Sequence, residues 1–291
     1  MRTLLSCFVF GGLLVSATTL AAPNDVLLTG LVERDAAGNP VRNPSTDLVM
    51  GDQEAFKGLT TELGFVFSPH ALSPAETTGH AGFDIGVDYT LHFIQTQNEY
   101  WSTATERGRQ GKVVPPVLQT IGVRARKGLP FSIEVGAGGK YLFESHMYAL
   151  GADLKWALNE GFIWFPDFAL TAGVNRLIGN KHVDLTVATA GAQLSKTFGL
   201  FGMMRIAPFL GYNYVMINAA SSVVDPNPAD ASDIGGNFTF DQVFLLGNGY
   251  HRALGGLRVG AFIFDLTFEG DLNFAGNQAV HQLGFKLSLD F

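Results

Sequence analysis

The sequence predicts an all-β fold: an antiparallel, transmembrane, up-and-down β-barrel of about 12 strands. Three observations point there. Many segments alternate apolar and polar residues with period two, a pattern no helix produces. These segments run about 10 to 13 residues, longer than the ~5–6 of an ordinary strand and matched to a tilted membrane crossing. The connections between them alternate between short and long, as periplasmic turns and outer loops do.

The elements follow in chain order. Met1-Arg2 and the apolar or small stretch Leu4 to Leu20 read as a secretory signal, with Thr19, Ala21 and Ala22 as the small residues of a cleavage site. Residues 1–21 are therefore assigned to the signal and 22–291 to the barrel, with cleavage after Ala21 or Ala22 left open. Cys7 lies too early to be a lipoprotein anchor, and no other cysteine exists, so the exported chain has no disulfide and no thiolate chemistry. An even strand count needs an outward strand at Asp25–Arg34, with Asp35–Phe56 as an outer loop; the alternative is a plug in the lumen. Leu59–Ser68 is then a returning strand, and Pro69–His80 a periplasmic connection.

From Gly82 the alternation is strong. Phe83, Ile85, Val87, Tyr89, Leu91 and Phe93 share one face; Asp84, Gly86, Asp88, Thr90 and His92 share the other. The same pattern covers 131–140, 148–156, 168–175, 205–214 and 262–269. Val183, Leu185 and Val187 oppose Asp184 and Thr186, and the phase is expected to break at a bulge near Ala190. Lys127–Pro130 and the turn at Val259-Gly260 are tight, whereas Gln95–Lys112 and Asn218–Gly247 are long and polar. Trp101, Trp156, Trp164, Phe162, Phe165 and Tyr141 fall near strand ends, where an interfacial aromatic girdle belongs.

Composition agrees. The chain has 15% charged residues, 35 glycines, 24 phenylalanines and a mean hydropathy of +0.19, yet beyond the signal it contains no run of about 18 apolar residues for a membrane helix. A net charge of -7 argues against nucleic acid as a partner. Oligomeric state leaves no trace in the sequence.

The last strand sets Leu283, Phe285, Leu287, Leu289 and Phe291 against Gln282, Gly284, Lys286, Ser288 and Asp290. It resembles the assembly signal of bacterial outer-membrane β-barrels, carried here by Leu287, Leu289 and Phe291. That resemblance implies recognition by the barrel-assembly machinery and outer-membrane lipid as surroundings. Pro74–Gly79 with Gly82-Phe83, Arg126–Phe131 and Ser195–Gly199 are similar to segments of a group of uncharacterised proteobacterial barrels, which implies no activity.

Candidate chemistry is sparse. Ser145-His146 and His182 lie at strand ends without a motif that supplies a base and an orienting group, so no catalytic residue is assigned and no enzyme is expected. Asp225, Asp230 and Asp233 read as turns in a Pro/Ala/Ser-rich loop. The histidines show no metal-ligand spacing, and neither metal nor cofactor is expected. Gly136–Gly139 lies inside a strand, where it makes room for an open interior or a close neighbour.

The informative surface is the inward face. Asp84, Asp88, Arg124, Arg126, Glu134, Lys140, Asp153, Lys155, Arg205, Arg252, Arg258, Asp265, Glu269 and Lys286 are expected to line the lumen, with Glu62, Asp184 and Asp290. Both signs are present. The expectation is a passive channel or transporter for a small solute, its selectivity set by these charges. The alternative is a closed barrel with a structural or surface-interaction role, and a lipid-modifying enzyme comes third.

Overall fold

The computed structural model describes residues 21–45, 48–162, 164–200, 203–225, 237–245, 247 and 249–291. The expected signal segment, apart from Ala21, and Asp230 and Asp233 lie outside the described residues.

The strands are β1 Phe83–Phe93, β2 Val117–Leu129, β3 Ile133–Leu142, β4 Tyr148–Asn159, β5 Asp167–Ile178, β6 Val183–Ser195, β7 Phe198–Leu200, β8 Met204–Ser221, β9 Gly249–Ala261, β10 Phe264–Phe274 and β11 His281–Asp290. Consecutive strands pair antiparallel from β1 to β6 and from β8 to β11, β6 pairs with β8, and β1 pairs with β11. That closes a ring of ten strands; three-residue β7 pairs with the start of β8 and stands outside it. Closure leaves the ten-strand ring itself without an exposed edge among the described residues, the condition for a sheet to sit in lipid.

Alternation explains the two faces. On β11, Leu283, Phe285, Leu287 and Leu289 are exposed on the outer surface, while Gln282, Lys286 and Ser288 are buried inside. Outward apolar residues on the other barrel strands, such as Leu150, Leu210 and Phe268, continue the belt. Such surface is tolerated because its solvent is hydrocarbon. Phe291 ends the chain against Phe83, the rings 5.6 Å apart and the two backbones joined by reciprocal hydrogen bonds.

Ten strands replace the twelve expected, because neither N-terminal candidate is a strand. Asp25–Arg34 holds only a short 3-10 turn at Leu28–Gly30 and isolated bridges. Leu59–Ser68 is mostly the second half of a helix, α1 Gln53–Phe67. Its start and stop are local. Asp52 caps it by accepting from the Ala55 N–H, and Glu54 sits in the first turn, where the helix dipole favours an anion. Pro69 forces the preceding Ser68 out of helical geometry, at ψ 149°. Thr60 and Thr61 return their hydroxyls to Phe56 O and Lys57 O, which hides polar groups in a buried helix.

The β6 phase does not break. Its register against β5 and β8 runs unbroken through Ala190, so no bulge lies there; the irregularity falls at Ala157/Asn159 in β4–β5. Val183, Leu185 and Val187 are buried and face the interior, as do Val215, Ile217 and Ala219 of β8. They pack with Leu59, Leu63 and Val66 of α1 in one apolar core. Asp184 is therefore on the outside, paired with Arg176 at 2.7 Å, and not in the lumen.

Candidate functional site: the plugged lumen

The N-terminal segment forms the site. With short periplasmic turns and long outer loops, residues 22–45 and 48–52 lie across the outer mouth. Leu27 N donates to Ala104 O, Glu106 N to Asp25 O, Asn24 N to Glu144 O, and Asn180 Nδ2 to Val26 O. Gln53 and Asp241 exchange two hydrogen bonds. The cap is thus stitched to the loops after β1, β3, β5 and β8.

Helix α1 then descends into the barrel, and one carboxylate fastens the outer loop to it. Glu62, fully buried, accepts from Gln95 N at 2.9 Å, Asn98 Nδ2 at 3.0 Å, Trp101 Nε1 at 3.0 Å and the Tyr100 hydroxyl. Tyr100 and Trp101 belong to a short helix, α2 Tyr100–Ala104. Burial and the neighbouring Glu62 push the Tyr100 phenol above its ordinary range. Trp101 therefore serves as a buried clamp and not as part of the girdle; Trp156, Trp164, Phe162, Phe165 and Tyr141 do face outward.

Past Ser68 the chain becomes an irregular thread that runs down the lumen to β1, in place of the periplasmic connection expected at Pro69–His80. Wall side chains hold its backbone. Lys140 donates to Ser68 O at 2.9 Å, Arg252 to Ser68 Oγ at 2.8 Å and Pro69 O at 2.7 Å, and Arg126 to Ala71 O. Leu72 N donates to Glu269 at 3.2 Å, Thr78 N to Glu134 at 2.9 Å, and Lys155 to Glu76 O at 3.2 Å. Arg258 pairs with the Glu76 carboxylate at 2.9 Å. Asn175 and Gln282 cap the carbonyls of Phe67 and Phe65 at the helix end, at 2.7 and 2.8 Å.

Several inward charges also pair with one another. Lys286 meets Asp84 at 2.6 Å, Lys155 meets Glu134 at 3.0 Å, and Arg124 meets Asp153. Arg205 bridges Asp265 at 2.9 Å and Asp290 at 2.6 Å. Asp88 is buried over Gly122, where an added Cβ would sit 2.6 Å from its carboxylate. Inward glycines such as this one give room to a neighbour's side chain rather than to a pore. Two cavities of about 10 and 20 Å³ flank the thread, enough for single waters and no solute.

The other candidates lie at the outer rim. The Ser145 hydroxyl donates to Leu142 O and accepts from Met147 N, which makes it a turn former. His146 Nδ1 lies 2.6 Å from Asp25, and both line a pocket of ≈ 290 Å³ with His182. Burial, with Lys181 and Arg109 nearby, holds His182 below the ordinary imidazole range.

No protein-family model and no curated protein matches the chain. Solved structures similar to it include the outer membrane protease OmpT from Escherichia coli, with 12% identity, a TM-score of 0.35, and coverage of 74% of this chain and 98% of that one. The translocator domain of autotransporter NalP from Neisseria meningitidis is similar at 8% identity and TM-score 0.35, covering 82% and 95%. Ail, the attachment invasion locus protein of Yersinia pestis, is similar at 9% identity and TM-score 0.29, covering 73% and 99%. Closed strands, an apolar outer belt and a polar interior make this chain, on its own geometry, an outer-membrane β-barrel.

Proposed function

We propose that the chain is a self-plugged barrel that acts through its outer face, with the N-terminal cap and outer loops as a fixed interaction surface. The observation that carries this reading is the occupied lumen: α1 and the thread are bonded to inward side chains of β2, β3, β4, β5, β9, β10 and β11. The charges that a channel would use for selectivity bind polypeptide instead. No chemistry is assigned to the rim, since Ser145 is committed to its turn. The test is conductance of the folded protein in a planar bilayer. Silence is expected; steady single-channel steps would refute closure.

A second reading has one observation in its favour. Below α1 the thread is held by polar contacts, which water can replace, so a small-solute passage gated by plug displacement is its natural form. Steps that appear only after those contacts are cut, as in Arg252→Ala, distinguish it from an open channel.

A further inference from the structure

His70 of the thread faces Glu269 and Asp271, two residues apart on the inward face of β10. All three are at least nine-tenths buried. His70 Nδ1 lies 2.9 Å from Asp271 Oδ2 and 3.7 Å from Glu269 Oε1, and one ligand atom from each falls within 4.8 Å of the others. Ligands about 2.0–2.2 Å from a common cation stand roughly 3.0–3.5 Å apart, so the spacing fits one.

The hydrogen bonds around the cluster add a second observation. Ser68 Oγ donates to Phe65 O and accepts from Arg252, which leaves it a lone pair for a His70 Nε2 proton 3.3 Å away. That tautomer turns the Nδ1 lone pair toward two carboxylates, acceptor against acceptors. Glu269 Oε1 and Asp271 Oδ1 are buried with no hydrogen-bond partner, and so is Nδ1 of His92, whose ring lies 6.4 Å from that of His70. The nearby cations spend their hydrogen bonds elsewhere, Lys140 on Ser68 O and Arg252 on Ser68 Oγ and Pro69 O, with Arg252 Nη1 4.0 Å from Asp271 Oδ2.

We propose that His70, Glu269 and Asp271 bind a divalent transition-metal cation that clamps the thread to the barrel wall. One imidazole with two carboxylates suits zinc better than calcium or magnesium, which take oxygen ligands only. Two carboxylates match the charge of a divalent ion. The clamp deepens the closed-lumen reading, since it ties the plug to β10 at mid-thread.

The test uses full-length folded protein, stripped with a chelator, dialysed against zinc or magnesium, and assayed for bound metal by plasma mass spectrometry. One zinc per chain and no magnesium is expected. His70→Ala and Asp271→Asn, each shown folded by heat-modifiable migration, should bind at least about tenfold more weakly, while His146→Ala at the rim binds as before. X-ray absorption of the zinc-loaded native protein needs no variant and should read one imidazole among oxygen ligands. No zinc in the native protein, or zinc retained in folded His70→Ala, overturns the site. Conductance is read separately: a zinc-loaded barrel that conducts keeps the site and removes closure, whereas a silent barrel without zinc removes the site and keeps closure.

Discussion

Glu62→Ala tests the link between plug and cap. The substitution removes one acceptor from four donors. Gln95 N and Asn98 Nδ2 lie near the rim, and water or Asn277 O takes them. The Tyr100 hydroxyl and Trp101 Nε1 are buried and lose their carboxylate, at about 1–3 kcal/mol each. Together that is about 4 kcal/mol, or roughly a thousandfold increase in the open fraction of the loop. The assay is fluorescence of Trp101 alone, after Trp156→Phe and Trp164→Phe remove two outward-facing indoles. Emission is expected to shift to the red and become quenchable by acrylamide, with the barrel still folded. Glu62→Gln should fall between, because its amide sets a donor against two donors. If Trp101 stays shielded in folded Glu62→Ala, the carboxylate is not what holds the loop.

Other consequences follow from the same contacts. Tyr100 has a phenol pKa above its unfolded value, so its contribution is whole below about pH 10 and falls as pH rises beyond it; hydrogen exchange of residues 95–105 should quicken there by more than the intrinsic base-catalysed rise, and Tyr100→Phe should remove that excess. Arg252→Ala removes both donors to Ser68 and Pro69, and bilayer recordings are expected to stay silent because the other wall contacts remain; brief current steps absent from the native protein would refute the fixed plug in favour of the gated passage. Gly151→Ala would place a Cβ 1.8 Å from Asn175 Oδ1 and 2.3 Å from Val174 O, displacing the amide that caps Phe67 O; a loss of about 1–3 kcal/mol is expected in urea unfolding. Truncation of Phe291 removes its ring from Phe83 and a reciprocal backbone pair, and should lower the folded fraction on unboiled gels.

The strands from Phe83 onward were legible because each reports two environments through one period. On β11 and β1 that reading reaches individual side chains, and Asp84 with Lys286 now form a pair across it. Helix α1 was not legible for a specific reason. Leu59, Leu63, Phe65 and Phe67 also fall at even spacing, and its polar residues Thr60, Thr61 and Glu62 are buried as well, so no solvent face marks the helical period. The signals that were present were Asp52 as cap and Pro69 as stop. At Asp184 a correct alternation was assigned the wrong sides, because the apolar residues of β6 there meet α1 and not lipid. His70 is about 200 residues from its two carboxylates, and only threading through a closed ring brings them together.

By itself, then, the sequence determined the barrel, its apolar belt and the polar character of its interior, since pleating alternates side chains wherever a strand runs. Only the tertiary structure decided what that interior holds. Inward charges and amides need hydrogen-bond partners, and water and a polar stretch of polypeptide meet that need equally well. The pattern Asp84, Glu134, Lys140, Arg252 and Lys286 is therefore the same for an open pore and for a lumen filled by residues 53–80; the difference lies in where a distant segment of the same chain comes to rest.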